Sequence, residues 1–293
     1  MSRRLDRCSL RSEAGDEPLA GTASTIRRWM LVEHPGPWGR DGLLDARLPD
    51  GLGRQLRALG RRTRARVLLI RRPVRTAGLG STCFAVDTLH GWIGSTSLES
   101  VSDAAGLDPT DPLAFPQAVG HAVAVVCTHG RRDPCCAERG RPLAAAASAR
   151  FPNEVWESTH VGGDRFAGNM VVFPHGLVFG RVEPSHGVEI LEALAQARIL
   201  LEHYRGRTSM PMPTQAADRA VRTDRGLDGL DDVRHLGTER DGRRARVRLG
   251  TASGETFVHL TRIELPATRL TCASSVDEAA ATWRVDSIDL LAQ

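Results

Sequence analysis

The sequence predicts an α/β protein, because apolar strands and amphipathic helices alternate along most of the chain and one order of elements occurs twice. The first occurrence comprises a strand (29–33), a helix (53–64), a buried strand (67–70) and a hairpin (83–96). The second comprises a strand (121–126), a helix with its body at 143–150, a strand (155–158), a hairpin (170–182) and a closing helix (187–204). This is the order of the thioredoxin-like fold, so we expect two tandem thioredoxin-like units, each with a mixed sheet flanked by helices.

The individual elements follow from local patterns. Leu56 and Leu59 with arginines between them predict an amphipathic helix over 53–64. The two predicted hairpins turn at similar sequences, Leu-His-Gly at 89–91 and Pro-His-Gly at 174–176, which supports two related copies. Strict alternation of apolar and polar residues at 245–249 and 256–260 predicts a further hairpin with one solvated face, to which the segments 269–272 and 283–290 add.

Changes in composition divide the chain into five parts. We expect a flexible arm at 1–24, a degenerate thioredoxin-like unit at 25–100, a second such unit at 117–206, a charged linker at 207–243 and a small β-rich C-terminal appendage at 244–293. The chain of 293 residues is long enough for more than one packed unit.

Charge and hydropathy exclude some classes of function. All 39 basic residues are arginine, but 35 acidic residues are interspersed among them and the net charge is only +4, so we do not expect nucleic-acid binding. The N-terminus lacks the apolar core of a secretory signal, and no window approaches the roughly 20 apolar residues that span a bilayer. We therefore expect a cytoplasmic protein without membrane attachment, in which the six cysteines are not primarily disulfide-bonded.

Two glycine-rich polar loops in the second unit contain most of the chemically reactive side chains. The first runs from Cys127 to Cys136 and includes Cys135, and the second contains His160 and Asp164. In a thioredoxin-like unit these loops lie side by side, so we expect the five side chains to converge. Cysteines at the start of a helix are stabilised as thiolates, the form that binds metals and reacts in redox chemistry.

Both loops also resemble a known family. The sequences Cys-Thr-His-Gly-Arg-Arg-Asp-Pro-Cys-Cys (127–136) and Trp-Glu-Ser-Thr-His-Val-Gly-Gly-Asp-Arg-Phe-Ala-Gly-Asn (156–169), with the Pro-His-Gly turn, are similar to the sucrase/ferredoxin-like family. Glu-Pro-Leu-Ala-Gly-Thr-Ala (17–23) and Glu-His-Pro-Gly-Pro-Trp-Gly (33–39) extend the resemblance, which covers roughly residues 17–205.

The resemblance implies a 2Fe-2S cluster in a thioredoxin-like ferredoxin domain. Eukaryotic relatives have the ligand pattern Cys-x8-Cys followed by His-x3-His, which matches Cys127, Cys136 and His160 in this sequence. The fourth position departs from the pattern, because Asp164 stands where the second histidine is expected. Asp164, Cys135 and His129, in that order, are the alternatives for the fourth ligand.

Further residues of the two loops are expected to surround the cofactor. Gly162 and Gly163 permit close approach of the backbone, whose amides can donate to sulfur. Arg131, Arg132 and Arg165 are expected to offset the negative charge or to dock an acidic redox partner, although a plain solvated basic face explains them equally well. A carboxylate ligand instead of imidazole adds one negative charge and so lowers the reduction potential.

Three other classes of function remain open from the residues alone. Two cysteines, one histidine and a further ligand suit tetrahedral zinc, although the cysteines are farther apart than is usual in structural zinc sites. Cys136 at a helix N-terminus also suits thiol redox chemistry, but the Cys-x-x-Cys motif is missing. A non-catalytic binding scaffold is the third. We expect one-electron transfer or redox sensing with an unidentified redox partner, and the sequence leaves open whether the protein is an enzyme.

Overall fold

The computed structural model describes residues 7–74 and 81–290. The helices of this part are α1 (Cys8–Ala14), α2 (Leu52–Thr63), α3 (Pro134–Arg150), α4 (Pro184–Ala195) and α5 (Met212–Arg225). The strands are β1 (Arg28–Glu33), β2 (Ala65–Arg71), β3 (Ser81–Asp87), β4 (Trp92–Leu98), β5 (Gln117–Ala118), β6 (Val123–Cys127), β7 (Val155–Ser158), β8 (Met170–Phe173), β9 (Leu177–Phe179), β10 (Tyr204–Arg207), β11 (Arg234–Asp241), β12 (Arg244–Thr251), β13 (Gly254–Glu264) and β14 (Ala281–Leu290).

Ten strands form one mixed sheet in the order β10-β9-β8-β6-β7-β2-β1-β3-β4-β5. The sheet contains two groups of four strands with the same pairing. In the first, β1 is parallel to β2 and antiparallel to β3, and β3 is antiparallel to β4. In the second, β6 is parallel to β7 and antiparallel to β8, and β8 is antiparallel to β9. The groups join where β2 and β7 run antiparallel, with Ile70 opposite Ser158. The α/β fold class with a mixed sheet is therefore confirmed.

In each group of strands, one helix connects the two parallel strands and packs on the large sheet. Parallel neighbours need a crossover connection, which α2 supplies between β1 and β2 and α3 supplies between β6 and β7. All five residues of β6 are buried, as expected for a strand covered on both faces. Trp29 and Trp156 share one apolar core that extends across both groups, so the halves are packed together rather than linked loosely.

The C-terminal region forms a separate four-stranded antiparallel sheet in the order β11-β12-β13-β14. Val247, Leu249 and Val258 point from this sheet into a core that also contains Ala217 and Val221 of α5. The alternation in β12 between exposed and buried residues agrees with the predicted one wet face. The β-rich C-terminal region is confirmed, and its first strand begins earlier than predicted, at Arg234.

Several predicted elements differ from the structure. Residues 207–243, predicted to be a linker, contain α5 and β11, and residues 8–14 of the predicted arm form α1, in which Cys8 is fully buried. The closing helix was predicted to reach residue 204, but α4 ends at Ala195 because Ala197 adopts a left-handed backbone with φ of 53°. The leucines beyond it occupy a 3-10 turn (Leu201–His203) that leads into β10. Residues 269–272 lie in turns, not in a strand.

Across residues 7–74 and 81–290, the longest helix is too short and too polar to cross a bilayer.

Candidate metal site

The end of β6 and the start of α3 hold the two cysteines of the first loop. Cys127 is the last residue of β6, and its backbone N–H donates to the carbonyl of Asn169 at 3.0 Å. Asp133 caps α3 by accepting from the backbone N–H of Cys135 at 2.9 Å, and Pro134 occupies the first helical position. Cys136 therefore lies in the first turn of α3, where the helix dipole favours thiolate.

The parallel pairing of β6 and β7 brings the second loop to the same place. Cys127 is opposite Ser158 in the ladder, so the chain leaves both strands at the same edge and His160 follows two residues later. The backbone N–H of His160 donates to Nδ1 of His129 at 3.2 Å, and its carbonyl accepts from Nη2 of Arg66 at 2.7 Å. His160 is thus held at its backbone from two sides.

Four of the predicted ligand side chains converge between the loops. Nδ1 of His160 lies 3.9 Å from the Sγ atoms of both Cys127 and Cys136. Oδ1 of Asp164 lies 3.4 Å from Sγ of Cys136 and 3.0 Å from Nδ1 of His160. The donor atoms of Cys127, Cys136 and His160 all lie within 4.8 Å of one another, a spacing that allows a metal ion between them. We refer to Cys127, Cys136, His160 and Asp164 together as the inter-loop site.

The electrostatics of the inter-loop site favour a first thiolate at Cys127. The interaction with the Cys136 side chain lowers the pKa of Cys127 despite complete burial, and His160 adds to the effect. The same interaction, followed by burial, raises the pKa of Cys136. Burial raises the pKa of Asp164, opposed by the nearby His160. Bound metal would take the place of the shared protons, since metal ligands must be deprotonated.

The alternative fourth ligands lie elsewhere or are otherwise engaged. The side chain of Cys135 points away from the inter-loop site, and its Sγ lies 3.7 Å from that of Cys8 and 3.3 Å from that of Cys272. His129 has both ring nitrogens in contact with the backbone, Nε2 with the carbonyl of Gly39 at 2.9 Å and Nδ1 with the N–H of His160. Of the three alternatives, Asp164 is the one whose side-chain oxygen contacts both Cys136 and His160.

The flanking residues behave differently from one another. Arg131 and Arg132 are exposed, and Arg132 lines an open pocket of about 190 Å³ that reaches His160. Arg165 instead forms a largely buried ion pair with Glu17 at 2.7 Å. Gly163 has φ of +78°, and a Cβ there would lie 2.5 Å from a guanidinium nitrogen of Arg205, so this position requires glycine.

Arg205 is a structural residue of the site that the sequence analysis missed. This fully buried guanidinium on β10 donates to the carbonyl of Thr22 at 2.5 Å and to Oδ1 of Asn169 at 2.7 Å. Asn169 in turn donates to the carbonyl of Gly163 at 2.8 Å. Arg205 therefore fixes the loop that carries Asp164. The predicted closing helix ended at Tyr204, directly before Arg205, and no local sequence pattern indicated that Arg205 would be buried.

Residues from the first half of the chain pack against His129 and the second loop. Trp38 packs edge-on against the His129 ring with centroids 6.0 Å apart, and Gly42 lies against Thr159, where a Cβ would be 2.9 Å from a methyl carbon. His160 keeps 19% of its side chain exposed, whereas Asp164 keeps 4%. The imidazole of His160 is thus more accessible to solvent than the carboxylate of Asp164.

The chain is similar over part of its length to curated proteins. "Altered inheritance of mitochondria protein 32" of Saccharomyces cerevisiae is 36% identical over 101 residues, which cover 29% of this chain and 32% of the yeast protein. The protein of that name in Saccharomyces kudriavzevii is 35% identical over the same length. The similarity thus spans about one third of these curated relatives. No solved structure matches the chain significantly.

The family comparison covers more of the chain. Residues 19–206 match the sucrase/ferredoxin-like family, a segment that contains both loops and all four residues of the inter-loop site. This match spans more than half of the 293 residues. The chain therefore belongs to the sucrase/ferredoxin-like family.

Proposed function

We propose that the inter-loop site binds a 2Fe-2S cluster and that the protein transfers single electrons or senses redox state. The observation that carries the proposal is the convergence of Cys127, Cys136 and His160, whose donor atoms lie within 4.8 Å of one another. The resemblance to eukaryotic relatives assigns ligands to the same three positions. The yeast relatives are named for mitochondrial inheritance, and this name specifies no biochemical activity.

The donor set fits an iron-sulfur cluster. Such clusters are held by cysteine thiolates, and imidazole ligands replace some of them in clusters of higher potential. Cys127 and Cys136 are each 1% exposed, so solvent has little access to the sulfur ligands. A bound cluster would supply one reversible electron at a potential set by its ligands and surroundings. Asp164 is proposed as the fourth ligand, since its Oδ1 lies within 3.4 Å of both Cys136 and His160.

Residues around the proposed cluster would set the net charge of the site and the access of solvent to it. The carboxylate of Asp164 makes the site one charge more negative than a site with two imidazoles, and the N-terminus of α3 partly offsets that charge. His129 contacts the backbone of His160 and the carbonyl of Gly39, and these two contacts fix the side of the site from which solvent would be excluded. The edge of His160, whose side chain is 19% exposed, would offer a route for an electron or a proton to the surface.

We propose an acidic redox protein as the partner. The pocket beside His160 is lined by four arginines, Arg40, Arg57, Arg66 and Arg132. Asp41 also lines it and pairs with Arg57, so the remaining positive charge exceeds the negative. Opposite charge on a partner would steer it to the imidazole edge at low ionic strength.

The two groups of strands in the large sheet support a further proposal about the type of fold. Each has the strand order 2-1-3-4, with one parallel pair and two antiparallel pairs, which is the order expected of a thioredoxin-like unit. We therefore interpret the large sheet as two thioredoxin-like units joined at β2 and β7, of which the second carries the site.

Metal and sulfide analysis of anaerobically purified full-length protein tests the proposal. We expect about two irons and two sulfides per chain and a visible charge-transfer spectrum. Cys127→Ala and Cys136→Ala should lose both iron and colour, whereas Cys83→Ala, a buried cysteine on β3, should keep them. Equal iron content in all four proteins would contradict the assignment of ligands.

Zinc at the inter-loop site is the alternative outcome, because donor atoms within 4.8 Å of one another also suit a single ion. Colourless protein that contains zinc but no iron, and that loses this zinc in Cys127→Ala, would establish it and overturn the 2Fe-2S proposal.

A further inference from the structure

A second group of cysteines lies on the other side of the same turn of α3. Cys8 from α1, Cys135 from α3 and Cys272 from the loop between β13 and β14 come together although they are far apart in sequence. Their Sγ atoms are 3.7 Å apart for Cys8 and Cys135, 3.5 Å for Cys8 and Cys272, and 3.3 Å for Cys135 and Cys272. We refer to these residues as the three-cysteine cluster.

The spacing of the three sulfurs is that of thiolates around one metal ion. With zinc–sulfur bonds of about 2.3 Å in a tetrahedron, neighbouring sulfurs lie about 3.8 Å apart. A disulfide requires about 2.05 Å, and all three cysteines are free in the structure. Cys8 and Cys135 are buried, whereas Cys272 is partly accessible, which leaves a path for an ion to enter.

Asp133 completes a four-donor set. Its carboxylate is fully buried, and its oxygens lie 3.8 Å and 3.9 Å from Sγ of Cys8. One oxygen accepts from the backbone N–H of Cys135 at 2.9 Å and the other from that of Cys272 at 2.7 Å, so the carboxylate is oriented by the same residues that supply sulfur. The donor atoms of the whole group lie within 4.8 Å of one another.

Polar hydrogens surround the sulfurs in the manner of an outer ligand shell. The hydroxyl of Ser9 donates to Sγ of Cys135 at 3.3 Å, and the backbone N–H of Cys8 donates to Sγ of Cys272 at 3.4 Å. Hydrogen bonds of this kind stabilise thiolates and orient them towards a metal. The N-terminus of α3 contributes further positive potential at Cys135.

We propose that Cys8, Asp133, Cys135 and Cys272 form a structural Zn²⁺ site. Three thiolates and a carboxylate form a closed tetrahedral set, and thiolate ligands favour zinc over magnesium or calcium. Binding exchanges the thiol protons for the ion: one Zn²⁺ enters, up to three protons leave, and no electrons move. The site is separate from the inter-loop site, since it uses Cys135 and the inter-loop site uses Cys136.

The ion would join three distant parts of the chain. It would tie α1 and the loop between β13 and β14 to the first turn of α3, which also carries Cys136. The same loop lies near Asp164, because Thr271 and Ser274 line a pocket together with that residue. Zinc would therefore fix the loop between β13 and β14 beside Asp164 of the inter-loop site.

Zinc and iron analysis of the full-length protein, purified with Zn²⁺ in the medium and dialysed against a weak chelator, tests this proposal. We expect about one zinc per chain in the wild type and in Cys83→Ser, and less than roughly a tenth of that in Cys8→Ser and Cys272→Ser. Cys127→Ser should keep this zinc even where iron is lost, so the two sites fail independently. Equal zinc in wild type, Cys8→Ser and Cys272→Ser, or zinc-free wild type, would overturn the proposal.

Zinc K-edge absorption of the wild type provides a test that does not depend on the folding of a variant. We expect three sulfur scatterers at about 2.3 Å and one oxygen scatterer at about 2.0–2.2 Å. A shell of nitrogen and oxygen alone would contradict the site. A disulfide among Cys8, Cys135 and Cys272 in the isolated protein, detected by mass spectrometry of alkylated peptides, would contradict it as well.

Discussion

His160 and Asp164 are in direct contact at the candidate metal site, with Nδ1 of the imidazole 3.0 Å from Oδ1 of the carboxylate. The contact puts the carboxylate where the ligand pattern of eukaryotic relatives has a second histidine. Asp164 is also 3.4 Å from Sγ of Cys136, so its carboxylate contacts two of the three residues whose donor atoms lie within 4.8 Å of one another.

Replacing Asp164 by histidine should raise the reduction potential. The change removes one negative charge next to the proposed cluster, and we expect a rise on the order of 100 mV, measured by redox titration of the visible spectrum. Asp224→His, at a residue with 58% of its side chain exposed, is the matched control and should leave the potential unchanged. A lower potential in Asp164→His would contradict the role of the carboxylate.

Gly140→Ala should disturb the position of Cys136 relative to Cys127. A Cβ at Gly140 would lie 2.0 Å from the carbonyl oxygen of Cys127, so α3 must move away from the end of β6. We expect a loss of about 1–3 kcal/mol in the free energy of unfolding and a fall in bound iron. Gly120→Ala, where a Cβ meets no atom within 4 Å, should do neither. Equal stability of the two variants in urea would count against this packing.

Arg205→Ala should destabilise the loop that carries Asp164. Loss of the guanidinium leaves the carbonyl of Thr22 and Oδ1 of Asn169 without these donors in a buried environment. We expect a loss of about 3 kcal/mol in urea unfolding. Arg284→Ala removes an exposed arginine paired with Asp286 and should change stability by less than about 0.5 kcal/mol. Similar effects of both substitutions would show that Arg205 does not support the loop.

Asp41 should contribute to stability in a way that depends on pH. Partial burial raises the pKa of Asp41, but the backbone N–H of Leu44 and the guanidinium of Arg57 outweigh it and lower the pKa to about 2. A folded-state pKa below the unfolded value of 3.8 means that the contribution is fully present above about pH 4 and is lost as the pH falls towards 2.

Asp41→Asn measures that contribution. Because 41% of the Asp41 side chain is exposed, solvent screens the charge and we expect only about 0.5–1 kcal/mol at pH 7. The difference between wild type and variant in urea unfolding should shrink between about pH 4 and pH 2. A difference that grows as the pH falls would contradict the direction of the pKa shift.

The sequence predicted the central elements because their signals are local. The signals are the apolar run that ends at Cys127, the alanine-rich helix body at 143–150 and the glycines of the second loop, and each acts within a few residues. Parallel pairing of β6 and β7 then suffices to bring Cys127 and His160 together. The convergence of the inter-loop site could therefore be expected from the sequence.

Long-range contacts carried no such signal. Cys8 and Cys272 lie 127 and 137 residues from Cys135 in the sequence, and nothing near either cysteine indicates that it contacts Cys135. The buried position of Arg205 likewise depends on β10 pairing with β9 at the edge of the sheet. The polar composition of residues 207–243 concealed α5, whose apolar side is narrow and packs on the small sheet.

In the proposed site one histidine, His160, ligates a 2Fe-2S cluster together with Cys127 and Cys136. Pulsed EPR of the chemically reduced protein, labelled with ¹⁵N at histidine only, counts the histidine ligands. We expect strong coupling to a single histidine nitrogen that is unchanged in His175→Gln and lost in His160→Cys, which retains a ligand in place. A reduced paramagnetic cluster without coupling to any histidine nitrogen, or with coupling to two, would contradict it.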